Sequence, residues 1–307
     1  MNLIVGGTGF VGGHLVEYLF QQGEISKGVF RKGSHLKIMD TNGVQGIEAD
    51  LSDHHSLHDA MEGVDVVYNL ASPMPDSETG FMAPNAEGIL NLLEVASEAK
   101  AKSFVQLSTL DVFGFGARDI TDSMPLRPAS EYQKAKAEAE RLLLEFSKRS
   151  GAPRVTIVRA AKGVGPRDET VAVPLLKMID AGKVVLPPGG KMSFSHPKDM
   201  AQAMYKAALG SQRTGSVYMV KSFDSTSEDL ARALIAALGK SAEVKRQGMF
   251  TASALPKYAG EQLRASLAIG EQPAWQELGY APKYDLRATC EEIASWYRKE
   301  PWVAESN

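Results

Sequence analysis

The chain has 307 residues, with 34 Lys and Arg against 37 Asp and Glu, a formal net charge of -3. Hydrophobic residues make up 44% and charged residues 23%, which excludes a disordered chain and fits one large domain or two joined ones. The balanced charge argues against a nucleic-acid surface, no apolar run approaches the ~20 residues of a membrane span, and the single Cys290 allows neither an internal disulfide nor a thiolate metal site. A strand-like run starts at the first residues, so no signal peptide is expected and a cytoplasmic location is the default.

In chain order, a short apolar strand at 3–5 leads to a helical pattern at 11–22. Weaker strands follow at 28–31 and 44–49, then a helix at 57–61 and a strand at 64–70. A helix at 86–99, a strand at 103–107, a helix at 131–149 and a strand at 154–158 complete the regular half. Strand–helix alternation predicts a doubly wound α/β fold, its strands parallel and joined by right-handed crossover helices. The strands are apolar throughout, as expected when both sheet faces are covered.

After residue 158 the pattern loosens. Residues 163–194 mix Gly and Pro around one helical stretch, 173–181. A helix at 198–209, a strand at 216–220, a helix opened by Ser225-Thr226-Ser227-Glu228 and a last helix near 286–298 follow. The expected division is a nucleotide-binding domain over 1–162, rejoined by 196–222, and a smaller C-terminal substrate-binding subdomain from 163–195 and 223–307. Ligand crevices in such sheets lie at the carboxyl ends of the strands, where this subdomain would cover them.

Gly6-Gly7-Thr8-Gly9-Phe10-Val11-Gly12 joins the first strand to the first helix. Gly6 allows the tight turn, Gly9 lets a pyrophosphate approach the backbone, and Gly12 lets helix and strand pack closely. Helix N-terminal amides then hold phosphate. Arg31 follows the second strand, where an acidic residue would bind the ribose hydroxyls of NAD. An arginine there pairs instead with a ribose 2′-phosphate, and Lys32 adds charge, so NADP is expected, with NAD the alternative.

Tyr132 and Lys136 lie four apart on the 131–149 helix and so share a face. A phenol titrates near ~10, too high for proton exchange at neutral pH, and a neighbouring ammonium favours its ionised form. Ser108-Thr109 ends the preceding strand, where the Thr109 hydroxyl can orient a reacting oxygen. Glycine turn, strand-end hydroxyl and Tyr–Lys pair converge on one sheet edge.

These segments, with Ala49-Asp50-Leu51, Asn69-Leu70-Ala71-Ser72, Asn85-Ala86-Glu87-Gly88 and Gly165-Pro166-Arg167, give the chain a resemblance to the extended short-chain dehydrogenase/reductases, the NAD-dependent epimerase/dehydratase family. The resemblance implies a Rossmann fold, a catalytic triad of Thr109, Tyr132 and Lys136, and hydride transfer to or from a nicotinamide. It places Asp50 and Leu51 at the adenine, and Leu70, Ala71 and Ser72 beside the ribose and nicotinamide. It also implies a small-molecule substrate and a homodimer through the helices at 86–99 and 131–149.

Within that family, sugar-nucleotide 4,6-dehydratases carry an Asp–Glu pair where this chain has Leu110-Asp111, and leucine cannot protonate a leaving hydroxyl. Epimerases usually have an arginine at the position of Met192 and Asn at that of Lys162, although Lys162 or Arg167 offers an alternative anion contact. The run Val29-Phe30-Arg31-Lys32-Gly33-Ser34 looks more like the dihydroflavonol-reductase and hydroxysteroid-dehydrogenase branch, which favours a carbonyl/alcohol oxidoreductase over an epimerase, and either over a non-enzymatic dinucleotide sensor.

Several features are read as structural. His54, His55 and His58 follow a cap-like Asp50-Leu51-Ser52-Asp53 and are taken as a solvated helix start, not a metal site. His196, before Pro197, is read as structural in preference to a substrate contact. Met74, Met82 and Met124 are candidates for an apolar pocket wall, with ordinary packing the equal alternative. The mixed charges of 134–141 read as a solvated face.

Overall fold

The structure is a computed structural model that describes residues 1–34, 36–71, 82–210, 213–246, 260–261, 263–264, 266–270 and 274–300. Its strands are β1 (Asn2–Val5), β2 (Ser26–Phe30), β3 (Gln45–Glu48), β4 (Val66–Asn69), β5 (Ser103–Thr109), β6 (Arg154–Ala160), β7 (Lys162–Gly163), β8 (Lys183–Leu186), β9 (Met192–Ser195), β10 (Ser216–Val220), β11 (Phe223–Ser225) and β12 (Glu243–Arg246). Seven of them form one sheet in the order β10-β6-β5-β4-β1-β2-β3. Every neighbouring pair in it is parallel. The order reverses between β1 and β4, the switch point at which such sheets open a crevice for ligands.

The helices are α1 (Phe10–Gln21), α2 (Lys37–Thr41), α3 (His54–Ala60), α4 (Met82–Glu98), α5 (Glu131–Phe146), α6 (Ala172–Asp180), α7 (Pro197–Gly210), α8 (Ser227–Leu238), α9 (Ala274–Leu278) and α10 (Leu286–Lys299). One apolar cluster joins Leu57 of α3, Leu92 of α4 and Leu143 of α5 to Leu3, Val67 and Phe104 of the sheet. A second, on the opposite face, joins Leu15 and Leu19 of α1 and Met204 of α7 to Ile4, Tyr68 and Val105. Adjacent residues of one strand serve the two clusters, so β1 is buried along its whole length.

The short strands β11, β9 and β7 form a separate sheet, and β12 pairs β8. With α6, α8 and α10 they enclose a third cluster around Leu175, Leu186, Phe194, Leu234 and Ile293. Among the described residues, no helix is long and apolar enough to cross a membrane.

Local chemistry sets where α5 starts. Ser130 accepts the Gln133 amide, and the Gln133 side chain accepts the Ser130 amide in return. This capping box fixes the first turn of the helix that carries Tyr132 and Lys136. Asp53 caps α3 by accepting the His55 amide, so His54 and His55 stand at an ordinary helix start and His58 in the last turn of the same short helix.

Candidate active site

The glycine turn is sterically closed. Gly6 has φ +86°, and a Cβ on it would lie 2.8 Å from the Ala71 nitrogen. A Cβ on Gly12 would lie 1.9 Å from the Gly6 carbonyl oxygen. The Gly9 amide donates to that same carbonyl at 3.1 Å, and the Gly13 amide donates to the Gly9 carbonyl. Gly9 is the N-cap of α1, which has no side-chain cap and no acidic residue in its first turn. Among the described residues no side chain caps the first amides of α1, and Thr8 and Gly9 at its mouth are exposed. This cradle suits a diphosphate. Phe10 and Val11 are half-buried, with Phe10 edge-on to His14 at 6.1 Å.

The other positions expected at the cofactor follow neighbouring strands. Arg31 and Lys32 are exposed just beyond β2. Asp50 follows β3, and its Oδ1 accepts the Ser52 amide and hydroxyl at 2.8 and 2.6 Å. Those bonds hold its carboxyl below the usual range, with a smaller contribution from the Arg31 charge, so Arg31 faces Asp50 closely enough to be felt. Leu51 is half-buried, and its carbonyl accepts from Asn91 of α4 at 2.9 Å. Leu70 and Ala71 continue β4 and lie against Gly6; the Ala71 amide donates to Asn69 Oδ1 at 3.2 Å. Ser72 and Met74 lie outside the described residues, as does the side chain of Met82. Met124 packs beside Leu110, Val112, Phe113 and Ile120.

Thr109 ends β5 and caps the 3₁₀ turn Leu110–Phe113, its Oγ1 accepting the Asp111 amide at 3.1 Å. Tyr132 is half-buried on the first turn of α5. The Lys136 ammonium lies 6.0 Å from the Tyr132 ring centroid. Lys136 is only 5% exposed, and burial pushes its ammonium down to about 8 against the opposing charge of Glu140. A lysine in that range carries its proton at neutral pH and exchanges it readily.

The mixed charges of 134–141 are expected on a solvated face. Lys134 and Arg141 do pair with Glu131, Glu138 and Glu145 at the surface. Glu140 departs from that reading because it points to the sheet. It is 2% exposed, binds Arg159 through three hydrogen bonds of 2.7 to 3.1 Å, and accepts the Ser108 hydroxyl at 2.5 Å. Its position four residues after Lys136 was the available signal. Lys162 is deep-set between Thr170, whose Oγ1 it reaches at 3.2 Å, and the charges of Asp168 and Asp111, while burial lowers its ammonium pKa.

Arg167 is committed elsewhere: both terminal nitrogens reach Glu17 of α1 at 3.0 Å. That pairing takes it from the anion contact expected as an alternative. Met192 is 2% exposed within the third cluster. His196 is fully buried, stacked on Tyr284 at 3.7 Å and 3.1 Å from Glu292.

The NAD dependent epimerase/dehydratase family model matches residues 2–220. The dTDP-glucose 4,6-dehydratase of Streptomyces niveus is 25% identical over 322 residues, covering 96% of this chain and 92% of that protein. The decarboxylating sterol-4-alpha-carboxylate 3-dehydrogenase of Homo sapiens is 30% identical over 199 residues, covering 62% of this chain and 50% of that one. In fold, the UDP-glucose 4-epimerase of Thermus thermophilus, solved as a complex with NAD, superposes with a TM-score of 0.82 at 21% identity, covering 97% of this chain and 99% of that one. With the family match spanning the whole parallel sheet, the chain belongs to the NAD dependent epimerase/dehydratase family and is an enzyme of the extended short-chain dehydrogenase/reductase type.

Proposed function

We propose that the protein is an NADP-dependent oxidoreductase acting on a carbonyl/alcohol pair, with Thr109, Tyr132 and Lys136 as its catalytic residues. The buried Lys136 beside Tyr132, one strand end from Thr109, carries this reading. The nicotinamide, when bound, supplies or takes the hydride. The first amides of α1 hold the diphosphate. Arg31 and Lys32 take the 2′-phosphate, Asp50 and Leu51 face the adenine, and Leu70, Ala71 and Ser72 flank the ribose and nicotinamide. Thr109 orients the substrate oxygen, Tyr132 exchanges a proton with it, and Lys136 keeps the phenol acidic and holds the ribose. Residues 163–195 and 223–307 bind the substrate, and α4 and α5 form the interface of a cytoplasmic homodimer.

Leu110, 2% exposed at the position of the dehydratase acid, disfavours dehydration. Arg167, tied to Glu17, and the buried Met192 disfavour a diphosphate clamp. Nucleotide-sugar epimerisation is the second reading because the superposed Thermus thermophilus enzyme has that activity in its name.

The test follows nicotinamide absorbance with a panel of ketones and alcohols. The oxidoreductase gives net NADPH consumption or formation. An epimerase interconverts a sugar nucleotide with no net change, and that result overturns the proposal. Tyr132→Phe is expected to lower turnover by ~100-fold or more while NADPH still binds. Full turnover in that variant removes Tyr132 from its assigned role.

A further inference from the structure

We propose that Arg159 is a positioning residue that governs the charge of Lys136 through Glu140: by holding both Glu140 oxygens against the sheet, it keeps that carboxylate off the ammonium one helical turn away. The inference rests on the reading of Tyr132 and Lys136 as the proton-transfer pair.

Its geometry comes from three elements. Tyr132, Lys136 and Glu140 are spaced by four along α5 and therefore lie on one face. Ser108 of β5 and Arg159 of β6 are register partners across two parallel strands, one residue before the Thr109–Ala160 pair. Glu140 plugs into that pair. Arg159 Nε lies 3.1 Å from each carboxylate oxygen and its terminal nitrogen 2.7 Å from Oε2, while Ser108 Oγ donates to Oε1 at 2.5 Å. Arg159 is held in turn over the Phe113 ring at 5.1 Å. The clamp fixes the rotation of α5 relative to the strand ends, and so aims Tyr132 and Lys136 at the edge where Thr109 stands.

The same bonds decide the electrostatics. A free carboxylate four residues along would pair with Lys136 and keep it a permanent ammonium. Here the Glu140 oxygens are engaged by Arg159 and Ser108, and no ion pair joins Glu140 to Lys136 among the described residues. The guanidinium is the direct partner of Glu140, whose charge still raises Lys136 against the larger effect of burial. The remaining groups around Lys136 leave this pair in control. The 3₁₀ turn contributes Asp111, which is 8% exposed, and the end of β5 contributes the neutral hydroxyls of Ser108 and Thr109. Arg154 of β6 sits at the opposite end of its strand, bonded to Ser103, and Glu87, Glu94 and Glu98 of α4 are exposed. Burial with a muted counter-charge is the combination that leaves a lysine titrating near neutrality.

The experiment titrates Lys136 by NMR in the full-length protein labelled at lysine, the resonance being assigned by its loss in Lys136→Arg. Wild type is expected at about 8. Arg159→Met frees the Glu140 carboxylate and raises the Lys136 titration by about one pH unit, a tenfold change in ionisation. Glu140→Gln removes the charge that opposes burial at Lys136 and lowers its titration by a similar step. Arg159→Lys keeps the cation and stays near wild type. Thermal melts confirm that each variant folds.

A purely structural role admits water in both charge-removing variants and moves both upward, toward the solvent value of ~10.4; that pattern overturns the proposal. Should Glu140→Gln fail to fold, Arg159→Met against Arg159→Lys decides. A rise in the first alone supports the proposal, and equal rises overturn it. A wild-type Lys136 already at the solvent value overturns the proton-transfer reading itself. A wild-type value near 8 with unshifted variants overturns only the role of Arg159.

Discussion

Arg31 stands just beyond β2, exposed, with its charge felt by Asp50 across the end of β3. Asp50 is already satisfied by the Ser52 amide and hydroxyl, so the guanidinium is not its main support and is available to an incoming phosphate. Arg31→Asp places a second carboxylate opposite Asp50 and repels a 2′-phosphate. Its expected effect is at least a tenfold loss in NADP affinity relative to NAD, about 1.4 kcal/mol, read by titrating each cofactor. An unchanged ratio assigns the 2′-phosphate contact elsewhere. At this scale the sequence spoke through spacing. Gly12 answers to a contact six residues away, and Tyr132 and Lys136 to one helical turn. Ser108, Glu140 and Arg159 meet only because β5 and β6 are in register and α5 lies over them. A contact made across separated elements leaves no local period to read.

The same distinction holds among elements. The parallel strands and their crossover helices were legible because each carries its own pattern, an apolar run or a 3.6-residue stripe. The helix at 173–181 and the strand at 216–220 correspond to α6 and β10. The strands β7, β8, β9, β11 and β12 were not legible. Each has two to four residues, and β8 finds its partner β12 only through Lys183↔Glu243 and the pairs that follow, 60 positions along the chain.

Within residues 163–195 the start of α6 is organised instead by one buried side chain, Asp168, fully shielded from solvent. Its oxygens accept the Thr170, Val171 and Ala172 amides at 2.9, 3.2 and 3.0 Å and the Thr170 hydroxyl at 2.6 Å, which starts α6. Asp168→Ala strands those donors and removes a counter-charge from Lys162. The expected loss is about 2 to 3 kcal/mol in urea unfolding. Asp168→Asn keeps one acceptor oxygen and loses less. Equal stability of wild type and the alanine variant rules out this capping role.

Two half-exposed carboxylates join the parts of the whole molecule. Glu17 on α1 ties the glycine-turn helix to Arg167, and Glu292 ties α10 to His196 and Lys198 around the start of α7. Burial works against each charge. For Glu17 the His14 and Arg167 partners prevail, and for Glu292 the His196 and Lys198 partners do, holding both carboxyls at about 2. In the unfolded chain both carboxyls titrate at the ordinary ~4.3. The folded protein therefore binds fewer protons than the unfolded chain between those values. The stability these groups give is complete above pH ~4.3 and drains away as the pH falls toward 2. Thermal melts of Glu17→Gln/Glu292→Gln across pH 7 to 2.5 check this. At pH 7 the double variant melts below wild type. The gap narrows below pH ~4.3, as protonation weakens the same pairs in wild type. A gap of constant size down to pH 2.5 shows that packing, not charge, makes these contacts matter. Solvent screening at both sites keeps the neutral-pH gap modest, and added salt shrinks it further.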